Sequence, residues 1–504
     1  MRRRTFFAAI STGALAALGA CSNGPGGVPT PSIAPLQSPT RTPLPSPPND
    51  TATPTSFADQ PLWPNANIAG SITAVRNHYL CGSVHVKELK DTIRGGHCPV
   101  VVDLRGPTTW AVLPDGQGAW TTRAVTVEGF SPPTQIPTAT PEKPDTAVVA
   151  GPALIDDTHA YLVVSVPSPS GDSDKKSFTC PVDLVKIALA DGTITASTRV
   201  SDSYVVDMPT ESDLSRLVSL SFTADRSALL LAADGTSLDI GTGGLGLRLN
   251  AADLSVQFDA NTLLAETHHH VRCGEALTVM KQVPDADEDE DVIIYLGTGA
   301  TETMTNWSAA LVRGDWLYYN DIIRQRPKKR VVFIEKHAAH ARNLSTGETV
   351  TFHEDSHDFF DDGIDAPINT DQRELILLNS RSRPTFSVHQ PGSATPMLSW
   401  ESSEQAIPGA ACVFGEVVYT APERSKEQDE NGKLRIISLT TKQDIGEFQN
   451  VAWGGSVAVT AWGLAATGIF YPAIEWLEAP AESATPSGVP SVPAPTPGAP
   501  STTP

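Results

Sequence analysis

Short apolar strands followed by polar turns recur along this chain, and this repetition limits what it can fold into. The runs are rich in Val, Ile, Leu, Tyr and Trp, and Gly, Asp and Asn punctuate them. Such punctuation is typical of β-strands that alternate with tight turns. Equivalent positions of successive units lie 45 to 60 residues apart, at Leu189, Leu249, Leu296, Leu344, His389 and Leu439. The repetition therefore predicts an all-β domain in which one sheet-forming unit is used repeatedly.

The repeating unit resembles the blade of a β-propeller, a four-stranded sheet that recurs about every 40 to 50 residues. Its Asp191-Gly192 and Thr346-Gly347 pairs suit tight turns that need positive φ. The resemblance implies a ring of about seven or eight four-stranded blades between residues 61 and 478. A closed ring leaves only short strand edges exposed, which protects a sheet protein from edge-to-edge association. Two β-sandwich domains are the rival interpretation, and the even spacing argues against them.

Residues 1–20 have the composition of an export signal. Three arginines precede the apolar run Phe6–Ala20, which contains no acidic residue. The run is shorter than the roughly 20 residues that span a bilayer. It ends in Leu18-Gly19-Ala20-Cys21, which resembles the lipobox of bacterial lipoproteins. That resemblance implies cleavage before Cys21 and attachment of a diacylglycerol to its sulfur, whereas an ordinary secretory leader is the alternative.

The leader also bears on the export route and the final location. Arg3-Arg4-Thr5-Phe6-Phe7 resembles the twin-arginine motif, a receptor-read signal for export of folded proteins. The general secretory route stays open, because basic residues begin every export leader. Two or more acyl chains, at about 0.8 kcal/mol for each buried CH₂, hold a soluble domain at a membrane. We therefore expect a lipid-anchored protein at the extracytoplasmic face of the cell membrane.

Two proline-rich segments flank the predicted propeller. Residues 21–60 and 479–504 are rich in Pro, Ser and Thr and poor in large apolar side chains. Such segments cannot bury enough surface to fold, so both are predicted to be disordered. At about 3.1 Å per residue, an extended proline-rich stalk of this length reaches on the order of 100 Å. It would lift the folded body through a cell-wall layer.

The net charge narrows the class of partner, and the number of cysteines limits the disulfide pairing. The net charge of −21 becomes −24 when the three leader arginines are removed, and such a chain repels nucleic-acid phosphates. Five cysteines remain besides Cys21, so they cannot all pair within one chain. In an extracytoplasmic protein Cys81 and Cys98 form a plausible disulfide, although pairing cannot be deduced from sequence.

Four charged segments are candidate sites. The densest begins at His353, and its candidate metal ligands are His353, Asp355, His357 and Asp358. Carboxylates suit Ca²⁺, and mixed His and Asp ligands suit Zn²⁺ or Mn²⁺, while a solvated acidic loop is the alternative. The others are a histidine run, an acidic run and a basic island, which occupy 268–270, 285–291 and 324–330. Each of these three is also explained as a solvated segment.

Motifs for catalysis do not stand out in the sequence. There is no Gly-x-Ser-x-Gly elbow and no phosphate-binding Gly-rich loop with Lys. Asp115–Trp120 resembles the Asp box of sialidase-type propellers without its leading Ser, and such boxes form turns. We therefore expect a binding or scaffold module for a protein or cell-wall glycan. The alternative is an extracytoplasmic propeller enzyme, either glycoside hydrolase-like or dependent on a quinone or metal.

Substitutions in the leader separate export from anchoring. Cys21→Ser removes the sulfur that the lipobox would acylate, so the exported chain should move from the membrane fraction to the culture medium. Arg3→Lys combined with Arg4→Lys should leave the precursor inside the cell, because the twin-arginine receptor reads the arginine pair. Immunoblots of cell, membrane and medium fractions measure both effects. Unchanged export of the lysine variant would reject the twin-arginine route.

Overall fold

The computed structural model describes residues between 44 and 476 of the 504-residue chain. Several segments in that range lie outside the description, and the longest are 63–71, 126–146, 170–177, 207–217, 234–244, 262–268, 282–289, 326–333, 354–375 and 423–431. The predicted leader, most of the predicted stalk and the predicted tail also lie outside it. In the part of the chain that is described, no helix is long and apolar enough to cross a membrane.

The described residues form eight antiparallel sheets in chain order. The first sheet contains β1 (Ile72–Arg76), β2 (Tyr79–His85), β3 (His97–Asp103), β4 (Thr109–Pro114) and β5 (Trp120–Ala124). The second contains β6 (Val149–Ile155), β7 (His159–Ser165), β8 (Ser168–Pro169), β9 (Phe178–Ala188) and β10 (Ile194–Val206). The third contains β11 (Val218–Phe222), β12 (Ala228–Ala233), β13 (Leu245–Asn250) and β14 (Val256–Asp259). The fourth contains β15 (His269–Arg272), β16 (Ala276–Lys281), β17 (Glu290–Tyr295) and β18 (Thr301–Thr305).

The remaining sheets follow the same up-and-down order. The fifth contains β19 (Trp307–Arg313), β20 (Trp316–Gln325), β21 (Ile334–Asn343) and β22 (Thr349–His353). The sixth contains β23 (Ile376–Ser380), β24 (Thr385–His389) and β25 (Leu398–Glu401). The seventh contains β26 (Pro408–Phe414), β27 (Val417–Pro422), β28 (Gly432–Ser438) and β29 (Asp444–Val451). The eighth contains β30 (Val457–Thr460), β31 (Gly463–Ala466) and β32 (Ile469–Pro472).

Contacts between sheets arrange them as a propeller. The first strands of neighbouring sheets meet, since β1 contacts β6 and β30, β6 contacts β11, β15 contacts β19, and β26 contacts β30. One apolar cluster joins the first, seventh and eighth sheets, and others join the first to the second, the second to the third, and the sixth to the seventh. The all-β propeller prediction is confirmed. The blade number differs, because among the described residues six sheets have at least four strands and two have three.

Connections between strands fall on two edges of the ring. At the short-turn edge, strands are joined by brief turns such as 77–78, 156–158, 344–348 and 439–443. At the long-connection edge, longer segments join the strands, including 86–96, 234–244, 282–289, 326–333 and 423–431. The ion pair of Arg76 with Asp157 and the hydrogen bond of Gly392 with Tyr318 join short turns of one sheet to the next sheet. The tight turns of neighbouring sheets therefore share one edge.

The N-terminal part of the body closes the ring against the last sheet. Phe57 forms an antiparallel bridge with Ala473, the amide of Ala58 donates to Pro472 O at 2.8 Å, and the amide of Leu62 donates to Phe470 O at 2.9 Å. Phe57 is only 4% exposed and belongs to the cluster that joins the first, seventh and eighth sheets. The end of the predicted stalk at 21–60 is thus part of the folded body.

The predicted disulfide between Cys81 and Cys98 is not formed. Cys81 lies on β2 opposite Val101, and Cys98 lies on β3 opposite Val84. The two thiols are buried in different apolar clusters on opposite faces of the first sheet. Cys98 pairs with Val84, three positions after Cys81. Because successive side chains of a strand alternate between faces, the two cysteines point to opposite faces of the sheet.

Gly192 gives a sharp test of how the first two sheets pack. Its φ is +74°, and an added Cβ would lie 2.3 Å from the Trp110 ring. Gly192→Ala should therefore combine backbone strain with overpacking, each of about 1–3 kcal/mol. Gly347→Ala is the matched control, because its φ is +75° and nothing lies within 4 Å of an added Cβ. Urea unfolding followed by tryptophan fluorescence measures both, and equal losses of stability would contradict this packing.

Candidate functional site

Carboxylates at the short-turn edge hold the turns together. Asp156 accepts hydrogen bonds from the amides of Thr158 at 2.7 Å and His159 at 2.6 Å. Asp225 accepts one from the amide of Ser227 at 3.0 Å. This hydrogen bond, together with those from the nearby hydroxyls, lowers the pKa of Asp225 to about 2. These acids stay ionised at neutral pH and serve the backbone of their own turns.

Polar contacts between neighbouring sheets also concentrate at this edge. Arg76 Nη2 lies 2.7 Å from Asp157 Oδ1, which joins the first sheet to the second. Lys186 Nζ donates to Ala251 O and Ala252 O, each at 2.9 Å, which joins the second sheet to the third. Lys186 is buried, and its ammonium group is stabilised by these turn carbonyls. The short-turn edge is therefore built for stability.

A buried carboxylate ties the outer strands of the first two sheets. Asp183 is 6% exposed and accepts hydrogen bonds from Trp120 Nε1 at 3.0 Å and from Arg199 Nε at 2.5 Å and Nη2 at 3.1 Å. The hydrogen bonds that Arg199 donates to Asp183 are the main cause that raises the pKa of Arg199. The carboxylate is occupied by donors on both sides, so its role is structural.

Ser387 and His389 form the hydroxyl–imidazole pair that most resembles catalytic machinery. His389 Nε2 lies 2.8 Å from Ser387 Oγ, and His389 Nδ1 lies 2.9 Å from Ser393 O. A nucleophilic serine uses a similar arrangement. Here both side chains are buried, at 8% and 3% exposure, and the Phe352 ring lies 5.2 Å from the imidazole. The pair therefore stabilises the packing of the fifth and sixth sheets.

His78 lies where the first and last sheets meet. Its ring packs 4.2 Å from Tyr79 and 5.7 Å from Trp462. It is 9% exposed, and its ring nitrogens have no hydrogen-bond partner among the described residues. Burial is the main cause that lowers the pKa of His78, and the nearby Arg105 lowers it further. The ring closure thus contains an imidazole that favours the neutral form.

The charged segments singled out in the sequence meet the long-connection edge of two neighbouring sheets. In the fourth sheet, β15 begins at His269 and β17 begins at Glu290, both at this edge. In the fifth sheet, β20 ends at Gln325 and β22 ends at His353, also at this edge. Arg342 and Glu302 form a 2.9 Å ion pair that joins the two sheets. We call the long-connection edge of the fourth and fifth sheets, near residues 269, 290, 325 and 353, the charged edge. It is the candidate functional site.

Of the four candidate metal ligands, the structure places only one in a described strand. The candidate metal ligands Asp355, His357 and Asp358 lie outside the described residues, and His353 is the last residue of β22. The metal site stays a prediction. Within the described ranges, no three metal-binding side chains come together. Of the histidine run, residues 269 and 270 lie in β15.

The Asp-box-like segment forms a hairpin turn at the long-connection edge. The amides of Gln117 and Ala119 donate to Asp115 Oδ1 at 2.7 and 2.9 Å. These bonds lower the pKa of Asp115. The sequence-based view of this segment as a turn is confirmed.

Sequence reasoning missed the buried polar groups between sheets. Trp120 and Asp183 are 63 positions apart, and Tyr79 and Leu189 are 110 apart, yet each pair is hydrogen-bonded. No spacing in the sequence signals such pairs. The only signal is the presence of charged or aromatic residues within strands that are otherwise apolar.

Comparisons with known proteins give only distant structural similarities. No family model and no curated protein matches the chain. The acylaminoacyl peptidase of Pyrococcus horikoshii is 11% identical, with a TM-score of 0.37, over 62% of this chain and 47% of that one. The β-propeller domain of the Trilobed protease of Pyrococcus furiosus is 10% identical, with a TM-score of 0.33, over 61% and 98%. TolB of Acinetobacter baumannii is 9% identical, with a TM-score of 0.26, over 77% and 66%.

The chain thus spans about half the length of the acylaminoacyl peptidase that it matches. At these identities and TM-scores the similarities assign neither a family nor an activity. The class of protein that the strands and their packing define is the β-propeller.

Lowering the pH from 7 to 5 should destabilise the ring closure through His78. Its folded pKa lies below 6.5, so the unfolded chain takes up the proton first. The stability present above pH 6.5 is therefore lost as the pH falls through the folded pKa. His78→Phe keeps an apolar ring without titrating, so its stability should fall less over this range. Urea midpoints at both pH values measure the effect, with His159 and His389 retained in both proteins; identical pH dependences would contradict it.

Proposed function

We propose that this chain is a lipid-anchored β-propeller at the outer face of the cell membrane, where it binds a protein or cell-wall glycan. The charged edge of the fourth and fifth sheets is the proposed binding surface. The observation that carries the proposal is the difference between the two edges of the ring. At the short-turn edge, Arg76, Lys186 and Asp225 bind turns or neighbouring sheets. The acidic run 285–291 and the basic island 324–330 instead join strands at the long-connection edge.

The composition of the charged edge favours a polar or charged partner. The acidic run 285–291 and the basic island 324–330 join equivalent strand pairs, β16–β17 and β20–β21, in neighbouring sheets. Opposite charges on adjacent sheets can orient a partner that carries both signs. Segments that join strands tolerate changes in sequence without loss of the core, so binding residues are often found there.

The first described residues of the chain contact the short-turn edge. The amide of Leu44 donates to Leu104 O at 3.5 Å, and Leu104 lies in the short turn after β3. Tyr419 OH donates to Pro54 O at 2.7 Å near the start of β27. Leu44 and Pro54 therefore lie at the short-turn edge, away from the proposed binding surface.

Site-specific photo-crosslinking tests the proposed surface. A photoreactive amino acid at Gln325 lies at the charged edge, and one at Thr346 lies at the short-turn edge of the same sheet. Because both positions share one sheet, differences in folding or expression affect them equally. We expect discrete adducts from intact cells with the probe at Gln325 and few with the probe at Thr346.

Two results would contradict the proposal. Adducts at Thr346 equal to those at Gln325 would show that the charged edge is not the binding surface. Turnover of a glycan or peptide library by the purified full chain would favour the alternative, an extracytoplasmic enzyme.

A further inference from the structure

The segment that closes the ring, residues 53–62, makes its bonds with one defined acceptor surface; we call this segment the N-terminal clasp. Its amides at Ala58 and Leu62 donate to carbonyls of β32, and Ile474 donates back to Ser56 O at 3.3 Å. Glu475 Oε1 accepts hydrogen bonds from the amide and hydroxyl of Thr55 and from the hydroxyl of Ser56. The clasp thus binds as an added β-strand with a carboxylate at one end.

An aromatic pocket holds the ring of Phe57, which follows the hydroxyl residues Thr55 and Ser56 in the chain. The Phe57 ring lies 5.6 Å from Phe448 and 6.2 Å from Tyr419, and it is almost fully buried. The lack of a side chain at Gly446 leaves space for the clasp backbone, because an added Cβ would lie 2.6 Å from Thr55 O. The surface therefore selects an extended peptide with two hydroxyl residues followed by an aromatic residue.

The acceptor surface belongs to sheets that are held together without the clasp. β30, β31 and β32 pair with each other, and β30 contacts both β26 and β1. Without the clasp, β32 would present an open strand edge, the kind of edge that binds peptides by β-strand addition. The clasp therefore fills a peptide site at the outer edge of the eighth sheet.

We propose that the edge of β32, with Glu475 and the aromatic pocket of Tyr419 and Phe448, is a strand-acceptor site for peptides of the Thr-Ser-Phe type. The chain's own clasp is its exchangeable occupant, and the same segment of a second copy is the partner that fits it. Exchange of clasps between tethered copies would link them without any new interface.

Hydrogen exchange on the full chain tests whether the clasp opens locally. Phe57→Ala removes the buried ring, so the amides of Ala58 and Leu62 should exchange roughly a hundredfold faster or more. Phe222→Ala, a partly buried phenylalanine of the third sheet, is the matched control and should leave those two amides unchanged. Amides of β24, which lies in the sheet of neither substituted residue, report on the global fold in both variants. Unchanged exchange in the Phe57→Ala protein would overturn the proposal.

Binding in trans then tests the acceptor site. A fluorescein-labelled peptide of residues 50–62 should bind the full-length Phe57→Ala protein and bind the unchanged protein at least tenfold more weakly, because its own clasp competes. The same peptide with Phe57→Ala should not bind, and Glu475→Gln in the protein should weaken binding. Fluorescence anisotropy measures each case.

A second variant keeps the test decisive. If Phe57→Ala unfolds the protein, both assays use Thr55→Ala instead, because that variant loses only one hydroxyl group. Failure of the peptide to bind a protein whose clasp amides exchange freely would overturn the proposal. Equal binding to every protein, including the Phe222→Ala control, would also overturn it, because that binding would not involve the acceptor site.

Discussion

Closure of the ring is the constraint on which the rest of this structure depends. The first, second and seventh sheets each contribute side chains to two apolar clusters, so each one packs against a neighbour on either side. The last sheet packs on the first through the apolar cluster of the first, seventh and eighth sheets. Phe57 lies within that cluster, and the N-terminal clasp adds the outermost strand. The two ends of the folded body therefore stabilise each other across one interface.

The short-turn edge serves stability, and the long-connection edge of the fourth and fifth sheets is the proposed binding surface. At the short-turn edge, carboxylates such as Asp156 and Asp225 bind turn amides, and Lys186 binds the carbonyls of the next sheet. Each of these groups holds a turn or an interface, so it contributes to the stability of the ring. The long-connection edge joins longer segments, and the proposed binding surface lies there. A binding surface can change there without cost to the ring.

The interfaces between sheets also explain where polar residues are tolerated. Asp183 is buried with Trp120 and Arg199, and His389 is buried with Ser387 and a backbone carbonyl. Each is paired, as a buried polar group must be to avoid a large desolvation cost. His78 differs, because it packs between aromatic rings at the closure and favours its neutral form. Protonation of His78 is therefore expected to destabilise the closure.

The sequence by itself determined the all-β class, the repeating unit and turns such as the one at Gly192, because these depend on patterns within a few residues. It also placed four charged segments, but it could not bring them together. Only the tertiary structure decided that they meet one edge of two neighbouring sheets, that Cys81 and Cys98 face apart, and that Thr55 binds Glu475, 420 positions away. Such contacts depend on sheet register and ring closure, and neither is encoded in local spacing.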